Sequence, residues 1–112
     1  MGTTEPRGQT AQEGIERSID FMHKNLAKSL KLRDLAKIAG MSPGHYGMLF
    51  RKIREHTPVD YFNRLRIQKS CELLKTTDRP VGQIGESIGF TDPYYFSRLF
   101  KKVMGISPRL YR

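Results

Sequence analysis

The chain has 112 residues, enough for one ordinary domain, with 38% apolar side chains, a net charge of +9 and one cysteine. The charge exceeds what solubility requires and favours a polyanionic partner; residues 1–29 hold four basic and four acidic side chains, residues 30–112 hold 16 and seven, so the whole excess lies in the latter. A single cysteine, Cys71, excludes an internal disulfide framework and a Cys-based zinc finger, and no apolar run approaches the roughly 18 residues of a membrane span or forms a signal-peptide core, which together suggest a cytosolic protein.

Residues 1–10 are polar and carry Pro and Gly, the composition of a disordered lead-in or linker remnant. From about Ala11 to Ala27, Ile15, Ile19, Met22 and Leu26 recur at helical spacing. A second helix is predicted over Leu32–Ala39, stopped at Gly40, a residue suited to a left-handed turn. Ser42-Pro43 restarts the chain as N-cap and first-turn proline, with Tyr46, Leu49, Phe50 and Ile53 facing inward. Thr57-Pro58-Val59-Asp60 opens a helix over 58–75 carrying Tyr61, Phe62, Leu65, Ile67, Leu73 and Leu74, and Thr76–Pro80 breaks it. A fifth helix follows over Val81–Ile88, then Gly89. A sixth runs from Asp92-Pro93 to Met104, and Ser107-Pro108 starts a last turn. No strand-like alternation appears, so the fold class is all-α with about seven helices.

Two stretches of this pattern are copies. Leu32–Ser42 aligns with Val81–Thr91, Tyr46–Ile53 with Phe96–Val103, and each copy closes with proline and tyrosine, as Pro58…Tyr61 and Pro108…Tyr111. A repeat of this length marks one supersecondary unit used twice, here helix, Gly-centred turn, helix: a helix-turn-helix. The expected organisation is a first subdomain over 11–57, a linker helix over 58–75 and a second subdomain over 76–112. The linker would be about 27 Å long at 1.5 Å per residue, comparable with the about 34 Å between successive major grooves on one side of a duplex.

The inward positions fix what faces outward. In the sixth helix, Phe96, Leu99, Phe100 and Val103 leave Tyr94, Ser97, Arg98 and Lys101 opposite, with Pro93 and Tyr95 near the tip. Arg98 is the foremost base-contact candidate because a guanidinium pairs bidentately with guanine O6 and N7; the plain alternative is a phosphate contact or a surface ion pair. In the third helix the outward set is Gly44, Gly47, Met48 and Arg51, flanked by His45. The two glycines bring no donors and cost about 1 kcal/mol each relative to Ala in a helix interior; they either let the backbone approach the groove wall or, the reading favoured here, mark a helix that discriminates bases weakly and holds on through Arg51 and Lys52. Lys52, Arg64, Arg66, Lys69, Lys75, Lys101, Lys102, Arg109 and Arg112 are phosphate-contact candidates.

Leu35-Ala36…Ala39-Gly40-Met41-Ser42-Pro43, Leu49-Phe50-Arg51-Lys52, Arg64-Leu65-Arg66-Ile67…Leu73-Leu74 and Ile88-Gly89-Phe90-Thr91-Asp92…Tyr95-Phe96-Ser97-Arg98-Leu99-Phe100-Lys101-Lys102…Gly105-Ile106-Ser107-Pro108…Tyr111-Arg112 together resemble the DNA-binding domain of the AraC/XylS family of bacterial transcription regulators. The resemblance spans about Ile15 to Arg112. It implies two helix-turn-helix subdomains with the third and sixth helices in successive major grooves of promoter DNA, and commonly activation through contact with RNA polymerase. It also implies a cytoplasmic, nucleoid-associated protein and an N-terminal effector-binding or dimerisation domain outside this chain. The departures are Lys31 where a Ser cap is usual, Ser70 in place of Ala, glycines at 82 and 85, and Gly44, Gly47 and Met48 at positions that read bases in relatives.

An enzyme reading has little behind it. His23, His45, His56 and Cys71 lack metal-ligand spacing, and Gly82-x-x-Gly85-x-x-x-Gly89 lacks the Lys-Ser/Thr of a phosphate loop, so no metal or cofactor is expected. The competing reading is a basic helical protein-interaction module with only non-specific DNA affinity; a membrane-surface role fails because the basic residues are spread over several helices.

Overall fold

A computed structural model describes residues 7–112, with side chains from Ala11 onward. Among these residues there are seven helices and no strand: α1 (Arg7–Lys24), α2 (Leu32–Ala39), α3 (Pro43–Arg54), α4 (Pro58–Thr76), α5 (Val81–Ser87), α6 (Pro93–Met104) and α7 (Pro108–Tyr111). The chain divides into two compact units. Residues up to Lys24 with Leu30–Tyr61 form the first, and Asn25–Ser29 with Phe62–Arg112 form the second.

α1 differs from expectation at both ends. The first six residues of the expected lead-in lie outside the described residues, but residues 7–10 are helical. No proline follows Pro6 until residue 43, and isolated glycines cost too little to stop a helix backed by an amphipathic stripe. At the other end α1 stops at Lys24 rather than about Ala27. The carbonyls of Leu26 and Lys28 accept hydrogen bonds from the Arg66 guanidinium, both at 2.7 Å, which commits this segment to the second unit.

The caps that were legible as short motifs form as expected. Ser42 Oγ accepts from the His45 N–H at 3.3 Å, Asp92 Oδ1 from the Tyr94 N–H at 2.9 Å and Ser107 Oγ from the Leu110 N–H at 3.3 Å. Each is followed by proline at the first helical position, where its missing N–H costs nothing. Lys31 has no acceptor to offer at the N-cap of α2, so Asp34 reaches back to take the Lys31 N–H at 3.3 Å. Gly40 and Gly89 end the first helix of each copy in the left-handed region, at φ 75° and 100°.

In the first unit Ile15, Ile19, Met22, Leu35, Ala36, Ala39, Tyr46 and Phe50 are buried. α1 crosses α2 so tightly at Gly14 that a Cβ there would lie 2.4 Å from the Ala39 carbonyl oxygen. Tyr46 donates its hydroxyl to Ser18 Oγ at 2.8 Å, and Ser18 donates onward to the Ile15 carbonyl at 2.7 Å. Burial pushes the Tyr46 phenol up to about 12, the Ser18 bond acting the other way. Tyr46→Phe should therefore cost about 1 kcal/mol, the usual worth of one internal hydrogen bond, read as a lower urea midpoint at unchanged slope.

The second unit is built on Ile67, Leu74, Ile84, Ile88, Phe90, Phe96 and Phe100, with half-buried Cys71, Leu99, Val103 and Tyr111 against them. Gly85 has a packing reason: a Cβ would meet the Phe96 ring at 2.7 Å. The Pro…Tyr ending of each copy also acquires a purpose. Tyr61 stands edge-on to Phe50 at 5.3 Å, and Tyr111 stands edge-on to Phe100 at 5.5 Å. Each tyrosine thus closes its own copy with the same aromatic contact.

Candidate nucleic-acid interface

α6 is set by its inward residues. Phe96 and Phe100 are fully buried, which turns the opposite side of the helix to solvent. Pro93, Tyr94, Tyr95, Arg98, Lys101 and Lys102 are exposed and Ser97 is half-buried. Tyr94 is 75% exposed; Tyr95, at 42%, leans its ring on Phe90 with centroids 6.0 Å apart. Arg98 and Tyr95 border a shallow depression shared with Asn63, Thr91 and Asp92. Asn63 and Thr91 meet there only through the fold, since nothing local places residue 63 beside residue 91.

α3 presents the same register. Tyr46 and Phe50 are buried, Gly44, His45, Met48, Arg51 and Lys52 are exposed, and Gly47 is half-buried. Met48 is 68% exposed. Arg51, Lys52, Arg98, Lys101 and Lys102 form no ion pair among the described residues, so both outward faces keep their positive charge. Such a face raises the local concentration of anions.

The remaining cationic candidates fall into two groups. Arg109 is exposed, and Lys69, also exposed, pairs with Glu72 at 2.5 Å; Arg64 is half-buried. Arg66 is a correction: at 8% exposed it is not a surface residue. Besides its two carbonyl acceptors, its guanidinium lies 4.2 Å from the Phe62 ring centroid and 5.2 Å from that of Phe90. Burial holds it below its ordinary value, with Tyr95 acting the other way. With Nε and one terminal nitrogen committed to the Leu26 and Lys28 carbonyls, Arg66 holds the Asn25–Ser29 segment rather than standing free on the surface as a phosphate-binding side chain would. Arg112 likewise donates to the carbonyls of Leu74 at 3.2 Å and Thr77 at 2.9 Å, and the Lys75 ammonium sits 4.8 Å from the Tyr111 ring centroid.

No three His, Cys, Asp or Glu side chains among the described residues converge as a metal cage. The Cys71 thiol, pushed up by burial with Tyr111 acting the other way, packs against the core of the second unit. No helix among the described residues is long and apolar enough to cross a membrane.

Two helix-turn-helix units, each turning a charged outer helix face to solvent, define a double helix-turn-helix protein. A family model described as a helix-turn-helix domain matches residues 35–112. The chain is 40% identical over 92 residues to the MmsAB operon regulatory protein of Pseudomonas aeruginosa, covering 82% of this chain but 30% of that protein. It superposes on a transcriptional regulator with an AraC-type DNA-binding domain from Chromobacterium violaceum with a TM-score of 0.86, at 27% identity and 93% coverage of each chain. The DNA-binding domain of AdpA, a global transcriptional factor solved with a target DNA, gives a TM-score of 0.82 at 23% identity and 88% coverage of each, a likeness of fold alone. The chain belongs to the AraC/XylS family of helix-turn-helix proteins.

Proposed function

We propose that the chain binds double-stranded promoter DNA sequence-specifically, as the DNA-binding part of a transcription regulator, with α3 and α6 entering successive major grooves. The observation that carries this is the outward face of α6, where Arg98, Lys101 and Lys102 are exposed and unpaired among the described residues beside Tyr94 and Tyr95. A helix-turn-helix offers its second helix to the major groove, and that face carries both a bidentate base reader and phosphate-binding charge. The MmsAB regulator's name speaks of an operon, which supports promoter DNA as the target. Activation through RNA polymerase, in the bacterial cytoplasm at the nucleoid, completes the reading, and it assigns the chain to binding rather than catalysis.

Affinity for duplexes, measured against salt and across sequences, tests it. Each phosphate contact contributes about 0.9 to the slope of log affinity on log salt, so Lys101→Ala should weaken binding to every duplex and flatten that slope by about one unit. An unchanged slope would remove Lys101 from the interface. Equal affinity for all duplexes would instead favour a basic protein-interaction module whose DNA affinity is incidental.

A further inference from the structure

The repeat places α3 and α6 in register fifty residues apart, so their outward positions compare one to one. Tyr94, Ser97, Arg98 and Lys101 on α6 correspond to Gly44, Gly47, Met48 and Arg51 on α3. The α6 set offers hydrogen-bonding groups at every position. On α3 the first three offer none, and Arg51 lies in the last turn of the helix, away from the N-terminal turns that reach base edges in helix-turn-helix complexes. His45 is exposed and is left as the hydrogen-bonding side chain of those early turns.

The glycines are not there for the fold. A Cβ on Gly44 or Gly47 would meet nothing within 4 Å, and neither residue has positive φ. Gly14 and Gly85, by contrast, sit where a Cβ would collide, and Gly40, Gly89 and Gly105 are left-handed; Gly82 on α5 shares the open surroundings of the α3 pair. Both positions on α3 could carry side chains within this protein, so the bareness of its outward stripe is a property of the surface it offers.

Building on the DNA-binding reading, we propose that the two helices divide the work unequally. α6 reads base edges through Arg98 and its neighbours. α3 holds the second groove by backbone approach, the Met48 side chain and the charge of Arg51 and Lys52, with little discrimination among base pairs. Glycine permits that approach because no side chain stands between helix and groove wall, and phosphate contacts position a protein without reading sequence.

Selection of duplexes from a random-sequence pool by the 112-residue chain tests this. The expected result is one block of strongly preferred base pairs beside a helical turn of tolerated sequence. The double variant Gly47→Ser/Met48→Arg, which places the Ser97-Arg98 pair on α3, should fold normally by circular dichroism. It should add preference in the tolerated turn, where single base-pair changes then cost about fivefold or more and leave the parent within about twofold. Two equally strong blocks selected by the parent overturn the division of labour while leaving DNA binding intact. So does a variant that alters the original block and leaves the tolerated turn unread. A pool that yields no preferred block overturns the DNA-binding reading, and this inference with it.

Discussion

Arg66→Ala is expected to destabilise the protein by about 2–4 kcal/mol. The side chain donates two charge-assisted hydrogen bonds to the Leu26 and Lys28 carbonyls, and a hydrogen bond to a charged group contributes roughly 1.5–3 kcal/mol net. Stacking on Phe62 and Phe90 adds about 0.5–2 kcal/mol. Truncation leaves an opening between two aromatic rings and frees the Asn25–Ser29 segment. Arg66→Lys should recover only part of the loss, because an ammonium cannot reach two carbonyls with a planar fork. Thermal melting checks this, with a fall in Tm of several degrees per kcal/mol for a chain of this size. If Arg66→Ala melted like the parent but bound DNA with a flatter salt dependence, Arg66 would be a phosphate contact after all.

Gly89→Ala belongs to the same device. Gly89 has φ 100°, and a Cβ there would lie 2.6 Å from an Arg66 terminal nitrogen and 3.0 Å from the Leu26 carbonyl oxygen. The left-handed turn of the second unit and the arginine that pins Asn25–Ser29 occupy one space, so neither can be altered without disturbing the other.

What could be read from the chain alone follows the range of the interaction responsible. Ser42-Pro43, Asp92-Pro93, Gly40 and Gly105 act on neighbours two to four residues away, and α2 ends, α3 begins and α6 both begins and ends where those residues put them. The end of α1 depends on Arg66, about forty residues away, and no local pattern carries that information. Yet Arg66 left a trace that charge counting overlooked. Phe62, Arg66 and Ser70 recur every four residues along α4, and all three are buried. An arginine on an apolar helical stripe is a candidate for internal hydrogen bonding, whereas one on the opposite side is a candidate for solvent or phosphate. The outward faces of α3 and α6 were legible for the converse reason: Tyr46, Phe50, Phe96 and Phe100 occupy the inward positions, and helical geometry then assigns the rest. Asn63 and Thr91, which share the depression beside Arg98, come from different elements and needed the fold.

Arg98→Ala should lower affinity for the selected duplex by about 1–3 kcal/mol and relax preference at one base pair. Arg98 projects from the second turn of α6, where helix-turn-helix proteins bring side chains to base edges, and no acidic group among the described residues ties it down. Two variants separate the possible roles. Arg98→Lys keeps the charge and loses the fork, so a base reader loses discrimination at that position while the salt slope stays. A phosphate-binding arginine tolerates lysine and loses little in either. Binding of parent, Arg98→Ala and Arg98→Lys to the selected duplex and to each of its single base-pair variants distinguishes these. If Arg98→Ala lost the same factor on every duplex, Arg98 would be a backbone contact, and base reading by α6 would have to rest on Tyr94, Tyr95 and Ser97.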